Sequence, residues 1–120
     1  MTPQEIIIAD AKERGLDANQ IMGIIQDEIS QGMGFIVHQD NSLLYCRVTA
    51  PGVAEMHLFT EDSPLALLHA LQYFIEEVRS KGIRTVTGNA ENPGIIRFLE
   101  KAGLVIEPSD DNEHNWKAQL

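Results

Sequence analysis

The sequence contains one cysteine, Cys46, so no internal disulfide can form. Its neighbours Leu44, Tyr45 and Val48 favour a packed thiol over a nucleophile. Cationic residues are also scarce. Nine Lys and Arg stand against eighteen Asp and Glu, giving a formal charge of −9. Binding to nucleic acid or anionic lipid depends on clustered Lys and Arg, so neither is expected as a partner. An anionic cofactor is repelled too, unless a local patch reverses the sign, whereas a basic protein partner is compatible. No apolar run approaches the roughly 20 residues of a membrane span. The opening Met1-Thr2-Pro3-Gln4-Glu5 lacks the basic start and apolar stretch of a secretory signal, and a cytoplasmic location is expected. His38, His69 and His114 share no metal-ligand spacing with one another or with Cys46, so no metal is expected.

What is present suffices for one domain. The 120 residues are 43% hydrophobic and 22% charged, contain no repeat or linker, and are read as a single domain, 1–120. Thr2-Pro3-Gln4-Glu5 is a capping box with proline at the first helical position, predicting a helix to about Arg14 that Gly15 ends. Asp17 caps a second helix to about Gln31, with Ile21, Ile24, Ile25 and Ile29 as its apolar stripe. Three strands are predicted next: Gly34 to His38, Leu43 to Thr49, and Val53 to Thr60. In the third, Ala54, Met56 and Leu58 share one face, and Glu55, His57 and Phe59 the other. Two hairpins joining them antiparallel is the simplest arrangement.

Ser63-Pro64 opens the longest helix, whose Leu67, Leu71, Phe74 and Val78 recur at helical spacing, flanked by Leu68 and Ile75. Ser80-Lys81-Gly82 closes it. A short strand over Arg84 to Thr87, a helix from Asn92-Pro93 to Ala102-Gly103, and a strand at Leu104-Val105-Ile106 follow. Glu107 to Glu113, with four acids, reads as a solvated loop before a last strand near His114 to Gln119, whose Trp116 is expected to pack on the sheet. The order ααβββαβαββ is a mixed α/β domain.

Asn92-Pro93-Gly94-Ile95-Ile96-Arg97-Phe98-Leu99-Glu100-Lys101-Ala102-Gly103-Leu104 resembles the Asn-x-x-Ala-x-x-x-Tyr-x-Lys-x-Gly-Phe segment of the GCN5-related N-acetyltransferase (GNAT) family. Asn92, Lys101 and Gly103 match outright, whereas Ile95 replaces Ala and Leu104 replaces Phe. Leu65 to Gly82 resembles the family's central helix, with Glu76, Arg79 and Gly82 echoing its Glu-x-x-Arg-x-x-Gly ending. The resemblance covers about two-thirds of the chain and implies a GNAT-like fold. Short phage-encoded members of the family are similarly compact.

Membership would further imply acetyl-CoA, held by a Gln/Arg-x-x-Gly-x-Gly/Ala loop before the central helix. Glycines there let the backbone approach, and successive N–H groups at the helix N-terminus hold the pyrophosphate. The corresponding stretch here is Asp62-Ser63-Pro64-Leu65-Ala66-Leu67. Asp62 replaces the basic or amide residue, Glu61 adds a second acid, Leu65 and Leu67 replace the glycines, and Pro64 removes an N–H. The family's general-acid Tyr aligns with Leu99, which cannot transfer a proton; Tyr73 and Tyr45 lie elsewhere in the register. Its general bases are often acids on the strand read as Val53 to Thr60, which makes Glu55 the candidate, with His57 behind it. Asn92 corresponds to a residue that contacts cofactor, but as an Asn-Pro pair it is equally a helix N-cap.

The expectation drawn is a GNAT-fold protein with no cofactor and no catalytic residue, retained for contacts with a protein partner. A phage virion or host-interaction protein is one concrete version. The alternative is a divergent acetyl-CoA-dependent N-acetyltransferase acting on a basic amine, with Glu55 as base. A third is a cleft for a smaller acyl compound or a peptide without phosphates.

Overall fold

In the computed structural model, which describes residues 1–90 and 93–120, the local signals act where the sequence places them. Thr2 accepts from the Glu5 N–H at 3.2 Å while the Glu5 carboxylate accepts from the Thr2 N–H at 2.8 Å, which starts helix α1 (Pro3–Arg14). Gly15, at φ 69°, supplies the left-handed residue that ends it. Asp17 accepts from the Asn19 and Gln20 N–H groups and starts α2 (Ala18–Ser30).

Strands β1 (Gly34–Gln39), β2 (Ser42–Ala50) and β3 (Val53–Thr60) form an antiparallel meander. Helix α3 (Pro64–Ser80) carries the chain across the sheet to β4 (Thr85–Gly88), which lies parallel to β3. Helix α4 (Pro93–Lys101), β5 (Val105–Glu107) and β6 (Trp116–Gln119) complete the chain. The sheet order is β1-β2-β3-β4-β6-β5, with β6 inserted antiparallel between β4 and β5. Strand ends differ from the sequence reading by a residue or two. The largest difference is β6, which begins at Trp116 rather than near His114 because the Asn115 N–H goes to the Asn89 side chain and the His114 side chain reaches Glu55 on β3.

Strand alternation divides the interior into two cores. Facing α3 and α4, Leu44, Cys46, Ala54, Val86, Trp116 and Ala118 meet Ala70, Leu71, Phe74, Ile75, Val78 and Leu99. Facing the helical hairpin, Leu43, Tyr45 and Phe59 meet Ile6, Ile7 and Ile25. Burial pushes the Cys46 thiol up to about 12, which leaves it protonated and unreactive at neutral pH. The isoleucine stripe of α2 is only partly used. Ile25 is buried, but Ile24 is 52% exposed and Ile29 is also exposed, because only the side of α2 that carries Ile25 packs against α1 and the sheet. Among the described residues, no helix is long and apolar enough to cross a membrane.

The pairing of β3 with β4 covers only Val53 to Glu55 against Thr85 to Thr87. Beyond that point the two strands part. The Asp10 carboxylate on α1 accepts the Thr60 N–H at 3.0 Å, holding the far end of β3 toward the helical hairpin. Gly88 instead turns to β6, opposite Trp116, and its carbonyl accepts the Asn115 N–H at 3.2 Å. The sheet is therefore splayed at its centre.

Phe74 is fully buried beneath the sheet, whereas its neighbour Tyr73 is 41% exposed. Replacing Phe74 with Ala should cost about 3–5 kcal/mol of stability. Tyr73→Ala should stay within about 0.5 kcal/mol. Urea unfolding monitored by circular dichroism measures both.

Candidate functional site

The splay opens a cavity of about 560 Å3. One wall is β3 from Glu55 to Thr60; the other is formed by Gly88, Asn89, Glu113, His114 and Trp116. Leu67 and Leu71 of α3 and Phe98 and Leu99 of α4 close its apolar side. The far wall is held in place by a reciprocal clasp. Asn115 accepts the Ala90 N–H and donates its amide to the Ala90 carbonyl, each at 2.9 Å, while Asn89 accepts the Asn115 N–H at 2.9 Å. Asn89 also donates to the Glu113 carbonyl at 2.8 Å. Gly88 is required beside it: a Cβ there would lie 2.5 Å from the Trp116 ring.

Glu55 sits where the ladder ends. One carboxylate oxygen pairs with His57 Nε2 and the other with His114 Nε2, each at 2.5 Å. On its opposite side, His114 Nδ1 lies 3.0 Å from Asp111 Oδ2. With a carboxylate on each ring nitrogen, His114 is set up to donate twice, which only the imidazolium can do. Burial opposes that charge, but the bonds to Asp111 and Glu55 outweigh it and raise His114 above the usual imidazole range. Burial would likewise raise Glu55, but the hydrogen bonds from His114 and His57 prevail and hold it below the usual carboxylate range. Asp111, bonded by the side chain and backbone of His114, is drawn down to about 2. The result is a chain His57–Glu55–His114–Asp111 that runs from a half-exposed imidazole through the cleft wall to a surface loop.

A second groove, of about 370 Å3, lies on the helical-hairpin side of β3 and shares Arg14, Glu55, His57 and Phe59 with the first. Its apolar wall includes Leu16, Ile21 and Ile24, so the exposed isoleucine of α2 faces this groove. On its floor Tyr45 donates to Glu28 at 2.7 Å and stacks near His57. Arg47 lies 3.7 Å from Glu28 and 3.9 Å from Glu55.

Glu55 and His57 thus lie in contact at the junction of the two grooves. Asn92 falls outside the described residues. Leu99 is buried against the cleft, and Tyr73 is on α3 and does not line it. Tyr45 reaches only the second groove, and burial with the Glu28 carboxylate raises its hydroxyl well above the usual phenol range, so it holds its proton. In the sequence, His114 is weighed only as a metal ligand and Asp111 is not singled out, so neither is linked to Glu55. The acidic stretch read as a solvated loop supplies Asp111, and the separation of 59 positions between Glu55 and His114 left no spacing to detect. Among the described residues, no group of three or more His, Cys, Asp or Glu is arranged to hold a metal ion.

The start of α3 does not fit a diphosphate. Ser63 caps it, accepting the Ala66 N–H at 3.5 Å, and the Leu67 N–H goes to the Ser63 carbonyl at 2.8 Å. Pro64 has no N–H to offer, and Leu65 projects from the helix start, 66% exposed. Asp62 does not face the helix dipole: its carboxylate accepts from Ser42 Oγ at 2.6 Å and the Asn41 N–H at 3.1 Å, fastening the β1–β2 turn. The misfit therefore rests on missing donors and on Leu65 more than on charge at the helix end.

Solved structures share this architecture. The chain is similar to the ribosomal-protein-alanine N-acetyltransferase of Brucella melitensis at 11% identity and TM-score 0.59, over 88% of this chain and 78% of that one. It is similar to the PaiA N-acetyltransferase of Thermoplasma acidophilum, solved with coenzyme A, at 14% identity and TM-score 0.60, over 100% and 80%. A Bacillus subtilis acetyltransferase in complex with CoA matches at 12% identity and TM-score 0.51, over 82% and 80%. No family profile and no curated protein matches the sequence. The fold is that of the GNAT acetyltransferases.

The histidine bridge makes stability depend on pH. Because His114 binds its proton more tightly folded than unfolded, its contribution is complete below the ordinary imidazole value near 6.5 and fades as pH rises through the raised folded value. His114→Gln should therefore destabilise the protein more at pH 6 than at pH 9, as measured by urea midpoints. An equal loss at both pH values would mean that His114 is not charged in the folded state.

Proposed function

We propose that this GNAT-fold chain does not use coenzyme A and that its cleft serves to bind a protein partner. The observation that carries the reading is the start of α3, where a proline, a bonded Ala66 N–H and a projecting leucine replace the open row of amides a diphosphate needs. Two features agree with it. The position that supplies a general acid in the resembling family is a buried leucine, Leu99. The carboxylate best placed to act as a base, Glu55, is bonded on both oxygens and held in its ionised, weakly basic form. The fold's core is kept while the groups that would grip and use the cofactor are not.

A second reading, a divergent N-acetyltransferase acting on a basic amine, is favoured by one arrangement. Glu55 and His57 lie at the junction of two grooves, one in the splay and one beside the helical hairpin. An acyl donor in the first and an amine in the second would meet there, with His57 able to take the amine's proton.

Calorimetric titration with acetyl-CoA separates the two. No binding at millimolar cofactor is expected, and no free thiol should be released with spermidine or a lysine peptide as acceptor. Sub-millimolar affinity, or thiol release abolished by Glu55→Gln, would establish the second reading instead. Pro64→Ser combined with Leu65→Gly should create measurable affinity by restoring an N–H and clearing the helix end. An unchanged titration would place any phosphate site elsewhere.

A further inference from the structure

The free side of β3 inside the splay carries a backbone pattern that the apolar lining alone does not explain. The Glu61 N–H reaches back to the Asn41 carbonyl at 2.9 Å, whereas the Thr60 N–H points the other way, to Asp10 on α1. Successive residues of a strand alternate the direction of their N–H and C=O groups. The backbone groups of Thr60, Leu58 and Met56 therefore share the cleft side, and those of Phe59, His57 and Glu55 bond to β2. The Thr60 N–H is taken by Asp10, and the ladder to β4 ends at Glu55. Between these limits the Leu58 N–H and C=O face the cavity with no strand across from them among the described residues.

Such an edge, about 17 Å long at roughly 3.3 Å per residue, is matched by one kind of ligand backbone: another extended chain. The side walls specify what that chain carries. Alternate side chains would point toward Leu67, Leu71, Phe98 and Leu99 on one face, and toward Glu55 and Glu113 on the other. Among the described residues Arg14 is the only lysine or arginine in the lining, and its guanidinium is already paired with Asp10 at 2.6 Å; Glu55 is paired with His57 and His114, which leaves Glu113 as the carboxylate with no cationic partner in the lining.

We infer that the splay is a β-augmentation site that accepts a short extended peptide segment of a partner protein, alternating apolar and basic residues, along the free edge of β3. The inference rests on the reading of the cleft as a protein-binding site and names the segment that fills it. Leu58 supplies the backbone pairing, the α3 and α4 side chains supply the apolar pockets, and the unpaired Glu113 selects against acidic sequences. Residues at the closed end of the cleft, Gly88 and Trp116, limit how deeply the segment enters.

The test uses the full chain and a capped heptapeptide in which valine and lysine alternate. Binding is read from Trp116 fluorescence, the only tryptophan in the chain, and from backbone amide NMR shifts. Sub-millimolar binding with shifts centred on Met56 to Thr60 is expected. The same peptide N-methylated at alternate amides should bind at least about tenfold more weakly, as should a version with glutamate in place of lysine. On the protein side, Leu58→Pro removes the edge N–H while sparing the β2 ladder, and should weaken binding to the same degree. If Leu58→Pro fails to fold, the N-methylated peptide still decides the matter. Equal affinity for methylated and unmethylated peptides overturns the inference, as do shifts centred on the outer edge strand β1. If neither peptide nor acetyl-CoA binds at millimolar concentration, the inference fails while the absence of coenzyme A use stands. If acetyl-CoA binds and displaces the peptide, both fail together.

Discussion

The architecture of the site depends on the early end of one parallel ladder. Three residue pairs join β3 to β4, and two unrelated contacts then draw the strands apart. On one side Asp10 of α1 takes the Thr60 N–H; its other oxygen is paired with Arg14, so this nearly buried carboxylate is fully compensated. On the other side Gly88 follows β6, kept free of a side chain by the Trp116 ring and locked by the Asn89–Asn115 clasp. Ladder hydrogen bonds are lost at the centre of the sheet, where they would ordinarily be made. A cavity and an exposed backbone edge follow directly.

The charge arrangement at the apex of that cavity is the second consequence. Where the ladder ends, Glu55 would be an isolated carboxylate in a half-buried wall, an unfavourable state unless paired. Two imidazoles and, at longer range, Arg47 provide the pairing. His114 in turn carries the compensation outward to Asp111, so the loop between β5 and β6 is fastened to the central sheet through a buried charge. Pairing of this kind is specific in geometry, because the removal of any one member leaves another uncompensated.

The apolar and backbone features of the cleft and the polar features of the α3 start favour different ligands. The cavity is roomy, apolar on one side and lined by an open strand edge, all of which suits an extended molecule. The helix start, 17 residues long in its helix but begun by Ser63-Pro64, closes its own donors. The proposed ligand, with a peptide backbone and no phosphates, is the one that would suit both regions.

Local chemistry settled much of this protein in advance of any structure. The capping box at Thr2, the cap at Asp17, the Ser63-Pro64 start and the period-two pattern of β3 each involve residues a few positions apart, and each formed as the sequence indicates. The α/β order and the membership of Glu55 and His57 on one strand face were legible for the same reason. Other features were not, because they join residues far apart in the chain. Ile24 and Ile29 fit the helical stripe but stay exposed, since which edge of α2 meets the domain is a packing outcome. Asp62 lies beside the α3 start in sequence yet bonds to Asn41 and Ser42 across the β1–β2 turn. His114 reaches Glu55 only because β6 inserts between β4 and β5. The sequence by itself determined the elements and their caps, including the Ser63-Pro64 start of α3, all of which depend on short-range hydrogen bonding and side-chain periodicity. Tertiary structure alone decided the splay, the cleft and the charge chain through the cleft wall, because each is made by backbone and side-chain partners that only the folded sheet brings together.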